Sequence, residues 1–195
     1  DQYETWKLVL NQAEQVGKKP KPMLLDVAWN NIDRAVPYVG WLSSESGQVK
    51  LALVEGQQNI QVATVVRSNE KGALPAGQYV AQLDLKGNNL HVPSFRYQAA
   101  KGSLTGNALV ELPDDKRQLK WNAVLNAQDF NPQSVSPAAP INLLNGQVKA
   151  NGYAKPNQQI IQLNAINLTG RMANQATPET VKLTGKSTAA LRFND

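Results

Sequence analysis

The chain has 195 residues, of which 42% are hydrophobic, 6% aromatic and 18% charged, with a net charge of +5, one histidine and no cysteine. That length suits one substantial domain or a piece of a longer array. The missing cysteines exclude disulfides, thiol catalysis and cysteine zinc sites, and suit either a reducing compartment or a periplasm.

Tyr3, Trp6, Val9 or Leu10, Ala13 and Val16 have helical spacing, with Asp1 as a cap and Gly17 as a stop, which favours a short N-terminal helix. Trp6, Leu8 and Leu10 also alternate as a strand would. Residues 18–22, Lys-Lys-Pro-Lys-Pro, read as a solvated linker. The expected division is therefore residues 1–22 as an N-terminal segment with its linker, and residues 23–195 as one β-rich domain. Residues 24–29 are a short strand, residues 30–36 a single helical turn before Pro37, and residues 39–42 a short apolar piece ended by Ser43-Ser44-Glu45-Ser46-Gly47.

From there the pattern is regular. Val49, Leu51 and Leu53 alternate with polar residues, as do Ile60, Val62, Thr64 and Val66. Tyr79, Ala81, Leu83 and Leu85 follow, then the turn at Gly87, then Leu90 and Val92. Pro93 cannot donate to a ladder and marks a bulge or an edge, after which Phe95 and Tyr97 resume. Leu104, Gly106, Ala108, Val110 and Leu112 share one parity, with Leu109 on the other. A turn at Pro113-Asp114-Asp115-Lys116 leads to Leu119, Trp121, Ala123 and Leu125. Pro132, Pro137 and Pro140 break the meander. Leu144, Gly146, Val148 and Ala150 alternate again, then Ile161 and Leu163. Ile160, Ile166 and Leu168 fall on the opposite parity. Val181, Leu183, Ala189, Leu191 and Phe193 close the chain. Alternation puts apolar side chains on one face and polar ones on the other.

Leu-x-Gly recurs at Gly87, Gly106, Gly146, Gly170 and Gly185. The 40-residue and 39-residue steps from Gly106 to Gly146 to Gly185 suggest stacked hairpins.

Catalytic signatures are missing. His91 lies between Leu90 and Val92 on the polar parity and reads as an exposed strand residue. One histidine and no cysteine cannot assemble a zinc or haem set, and there is no nucleophile elbow or phosphate-binding glycine loop. Asp114 and Asp115 read as solvated turn formers. The basic residues are scattered and do not interleave with aromatics, so nucleic acid is not an expected partner. No catalytic residue, metal or cofactor is expected. No run approaches the roughly 20 apolar residues of a membrane span. The chain starts at Asp1 without a signal peptide and is expected to be a segment of a larger protein. A one-faced antiparallel meander must be covered by a second sheet, by closure into a barrel, or by an apolar ligand.

Leu74-Pro-Ala-Gly-Gln-Tyr79, Gly102-Ser-Leu104-Thr-Gly106, Leu119-Lys-Trp121, Asp129-Phe-Asn-Pro132 and Leu144-Asn-Gly146-Gln-Val-Lys-Ala-Asn-Gly152 occur in that order. Over residues 74–170 the chain resembles the TamB family, subunits of the translocation and assembly module within the AsmA-like superfamily of bridge-like lipid transport proteins. The resemblance implies an elongated, curved antiparallel sheet, a U-shaped trough or β-taco of stacked hairpins with an apolar concave face. It implies a periplasmic segment of an inner-membrane-anchored protein that reaches the outer membrane and conducts phospholipid through the groove. It offers no catalytic residue. The implied groove lining is Leu83, Leu85, Leu104, Val110, Leu119, Trp121, Leu125, Leu144 and Val148, with Leu90, Val92, Phe95, Tyr97, Ile161 and Leu163. The implied partners are phospholipid or acyl chains and an outer-membrane barrel. A scaffold for outer-membrane protein (autotransporter) assembly and secretion, and an ordinary carbohydrate-binding β-sandwich, are the alternative readings.

Overall fold

The computed structural model describes residues 3–12, 22–54, 56–113, 118–173 and 180–192. Among them the chain forms eleven strands: β1 (Thr5–Gln12), β2 (Met23–Val36), β3 (Gly40–Val54), β4 (Gln57–Val66), β5 (Gly77–Lys86), β6 (Asn89–Gln98), β7 (Ser103–Glu111), β8 (Leu119–Phe130), β9 (Ile141–Lys155), β10 (Gln158–Met172) and β11 (Thr180–Arg192). All pair antiparallel in one sheet whose spatial order is the sequence order, with β1 and β11 as its edges. A 3₁₀ turn, Pro132–Ser134, capped by the Asn131 side chain, bridges β8 and β9; the prolines interrupt the strands but, against expectation, not the meander, because β8 and β9 still pair.

Several local expectations are corrected. Residues 5–12 are a strand, not a helix: Trp6, Leu8 and Leu10 pair with Trp29, Val27 and Leu25, and this non-local pairing overrides the helical spacing. Residues 30–36 continue β2 to the turn at Pro37, and Ser43 to Gly47 lie inside β3. The serines are held within the sheet. Trp29 Nε1 donates to Ser44 Oγ at 2.9 Å, and that hydroxyl sits 2.8 Å from Thr64 Oγ1. The Asp1 cap, the Gly17 stop, residues 18–21 of the linker, the turn at Asp114 to Lys116 and Phe193 lie outside the described residues.

Irregularities in the ladder decide which side chains share a face. Asn31 stands at a φ of 57°, and the pairing of β2 with β3 passes from Asn30–Ser46 to Ile32–Ser44 without it. Pro93 falls in a register shift between Val92 and Phe95, as its missing donor requires. A shift between Ala127 and Phe130 contains Asp129 at a φ of 47°. Another separates Leu163 from Ala165. Each extra residue flips the parity beyond it. Ile166 and Leu168 therefore join the face of Ile161 and Leu163, against expectation, and Phe130 joins Leu125. Ile160 stays on the other face.

The 39–40 residue period is one hairpin. Gly106, Gly146 and Gly185 fall on β7, β9 and β11.

Outside the ladder, a polar cluster fastens the outer part of β2 and β3 to the connection between β4 and β5. Asp33 Oδ1 accepts from Trp41 Nε1 (2.8 Å), Ser43 Oγ (2.5 Å) and Asn69 Nδ2 (3.2 Å). Lys71 stacks over the Trp41 ring at 5.2 Å. The Ser43 and Trp41 donors hold the Asp33 carboxyl below the usual carboxylate range, with Arg67 assisting. A carboxylate whose pKa is depressed on folding contributes stability above its unfolded pKa, and loses it as pH falls through the folded one. Asp33→Asn is accordingly expected to cost about 1 kcal/mol at pH 7, the side chain being exposed. That difference should close as pH drops below the ordinary carboxylate range. Thermal melts of both proteins across pH 2.5–7 measure it, and a gap that does not close in acid would remove the charge-assisted explanation.

Candidate functional site

Residues directly opposite in an antiparallel ladder share a face, so the register traces the apolar face across the sheet. One row runs over all eleven strands: Leu8, Val27, Val49, Val62, Ala81, Phe95, Gly106, Leu125, Val148, Ile166 and Gly185. A neighbouring row runs from Trp6 and Trp29 through Tyr79, Tyr97 and Leu104 to Leu168 and Leu183. On the other side, Leu85, Leu90, Val110, Trp121, Gly152 and Ile161 form a third row. Val92, Ala108, Ala123, Ala150 and Leu163 lie beside it. Ten strand spacings make this face about 48 Å across.

All fifteen residues singled out from the sequence fall on this one face. Leu83 pairs with Ile60, Leu119 with Ala154, and Leu144 with Phe130 and Gly170. Thirteen are partly exposed. Val92 and Tyr97 are buried at 7% and 5% exposure. Tyr97 stacks on Tyr79 at 4.7 Å and meets Phe130 edge-on at 6.2 Å. Ala99, Leu104, Ala127 and Leu144 complete this aromatic cluster. The two hydroxyls donate to the Pro75 and Ala76 carbonyls at 2.7 Å each, and burial pushes both phenols up in pKa. The cluster closes one end of the strands with packed rings.

Sequence reasoning missed Phe130, Ile166 and Leu168, which reach the face only through bulges. It also left the first four strands out of the groove lining, where Leu10, Leu25, Leu51 and Ile60 extend the row of Leu83.

Among the described residues no second sheet or helix covers the face. Only nine apolar side chains among the described residues are buried, several of them alanines. The total accessible surface is 12789 Å², against about 9,100 Å² for a compact chain of 21.3 kDa. At the β1 edge Trp6, Leu8 and Leu10 are 51%, 67% and 59% exposed.

The opposite face is polar and largely neutral. Gln147 donates to Asn126 at 3.0 Å and Asn151 to Gln162 at 3.3 Å across strands. His91 is exposed there, opposite Asp84 and Leu109. Among the described residues no three metal-ligating side chains come together, and no helix is long and apolar enough to cross a membrane.

A family model described as "TamB, N-terminal domain" matches residues 7–195. The chain belongs to the TamB family. Searches of the curated proteins and of the solved structures found no match. The TamB match extends the resemblance seen over residues 74–170 through β2, β3 and β4, whose rows carry the same apolar face. TamB proteins are associated with the cell envelope and with the translocation and assembly module.

Proposed function

We propose that this TamB segment is a non-enzymatic conduit for phospholipid, lying in the periplasm as part of an inner-membrane-anchored protein that reaches the outer membrane. The observation that carries the reading is the apolar row that crosses all eleven strands with no covering layer among the described residues. Acyl chains are the ligand such a face solvates best, since each buried methylene contributes about 0.8 kcal/mol. A tail can slide because alkyl–alkyl contact has no preferred register. The fifteen groove residues, from Leu83 to Leu163, would line its path.

A second reading is favoured by the unpaired edge of β1, whose exposed Trp6, Leu8 and Leu10 could accept a strand of an outer-membrane protein on its way to a barrel partner. Photocrosslinkers at Trp121 and Leu144, and along β1, separate the two. Under the conduit reading the first two positions yield lipid adducts, and native mass spectrometry of the purified protein detects co-purified phospholipid. Polypeptide adducts along β1, with no lipid at Trp121 or Leu144, would replace it with the scaffold reading.

A further inference from the structure

The outer end of the β2–β3 hairpin reaches a part of the sheet far from it in sequence. Gln159, on β10, has the parity of Ile161 and so belongs to the apolar face, in the row of Leu119 and Ala154. Its Nε2 donates to the carbonyl of Tyr38 at 2.9 Å, across 121 residues. Tyr38 is the tip of the turn between β2 and β3. A sheet twists by about 20–25° per neighbour, so the seven steps from β3 to β10 accumulate roughly 140–175°. That brings the turn end of β2–β3 over the opposite end of β8–β10.

The hairpin is built to bend at one level. Asn31 is left-handed there, and opposite it β3 changes register against β4 between Ser44 and Ser46. Bulges bend a strand and raise its twist. The tip itself is held in a costly shape: Tyr38 has a φ of 66°, rare for a bulky residue, fixed by Pro37 before it and by the Val39 amide donating to Val36. Ala154, beneath the contact, is 3% exposed. A hydrogen bond between neutral groups opens readily.

We propose that the β2–β3 tip is a strap laid across the apolar face at the row of Leu119, Ala154 and Gln159, and that it must lift for an acyl chain to pass that row. The inference rests on the conduit reading for its ligand but not for its geometry. The Asp33 cluster ties the back of the strap to the β4–β5 connection, so the two move together.

The chain has no native cysteine, so Tyr38→Cys with Gln159→Cys places the only two thiols, to be joined by a short, reducible bis-maleimide. Tyr38→Cys with Gln82→Cys, on the polar face, is the control. The strap predicts efficient crosslinking of the first pair and none of the second. It predicts at least ten-fold slower transfer of fluorescent phosphatidylethanolamine between donor and acceptor vesicles, restored on reduction. Gln159→Leu, which keeps the volume and removes the donor, should speed transfer about five-fold, the factor of one neutral hydrogen bond. No crosslink in the first pair overturns the strap. A crosslink that leaves transfer unchanged overturns its gating role. Absence of any transfer by the unmodified chain overturns the conduit and the gate together, and the crosslink yield still reads the geometry separately.

Discussion

Under the conduit reading, replacing Trp121 with glutamate should empty the groove of phospholipid while leaving the sheet folded, and Trp121→Leu should leave occupancy nearly unchanged. Trp121 stands mid-row between Val110 and Gly152, partly exposed on the apolar face. A carboxylate there must be stripped of water by a passing tail or hold water in its path. Either costs about 2 kcal/mol or more, a thirty-fold loss of occupancy. Leucine keeps the apolar surface, and the pair of variants separates charge from lost ring contacts. Native mass spectrometry gives the occupancy, and circular dichroism checks the fold. A folded Trp121→Glu protein that still carries the wild-type amount of lipid would rule out this row as the tail's path.

The part of the fold legible in the sequence is the part governed by period-two alternation. Leu104 to Val110 and Leu119 to Leu125 share a face because each is an uninterrupted strand, and parity alone places them. Pro93 announced its own bulge through its missing donor. The bulges at Asp129 and between Leu163 and Ala165 carry no such mark. A polar residue that takes up a bulge, left-handed at Asp129 and not at Asn164, looks in sequence like any polar strand residue. Ile166 and Leu168 were consequently assigned to the wrong face. The serines of β3 looked like a loop because their partners, Trp29 and Thr64, lie 15 and 20 residues away. The N-terminal strand was ambiguous for a related reason. Only its eight-pair ladder with β2 chooses between the two spacings that Trp6 and its neighbours satisfy.

Among the Leu-x-Gly glycines, Gly106 has an aromatic ring against its Cβ position, whereas Gly87 and Gly185 face open space and Gly170 faces Ile141 and Leu144, and Gly106→Val tests what the missing side chain does there. A Cβ at Gly106 would sit 2.0 Å from the Val124 carbonyl oxygen and 2.9 Å from the Phe95 ring. The ring can turn; the carbonyl belongs to the ladder and cannot. The same arrangement recurs at Gly152, where the obstructions are the Ile160 carbonyl at 2.0 Å and the Trp121 ring at 2.9 Å. A large apolar ring thus covers the gap that glycine leaves, and the ring and the glycine occupy one row together. Valine at position 106 must displace backbone, so it should cost about 3 kcal/mol, near the top of the overpacking range. That corresponds to a melting temperature roughly 6–12 °C lower. Gly56→Ala is the matched comparison. Gly56 has a φ of 70° with nothing within 4 Å of its Cβ position, so only the left-handed backbone resists, at about 1–2 kcal/mol. If the two variants melt together, packing against the Val124 carbonyl and the Phe95 ring is not what holds glycine at position 106. If Gly106→Val is clearly the worse, Gly106 is there to let the Phe95 ring lie flat on the sheet. Flat rings keep the apolar face shallow and continuous, the shape that a sliding acyl chain requires.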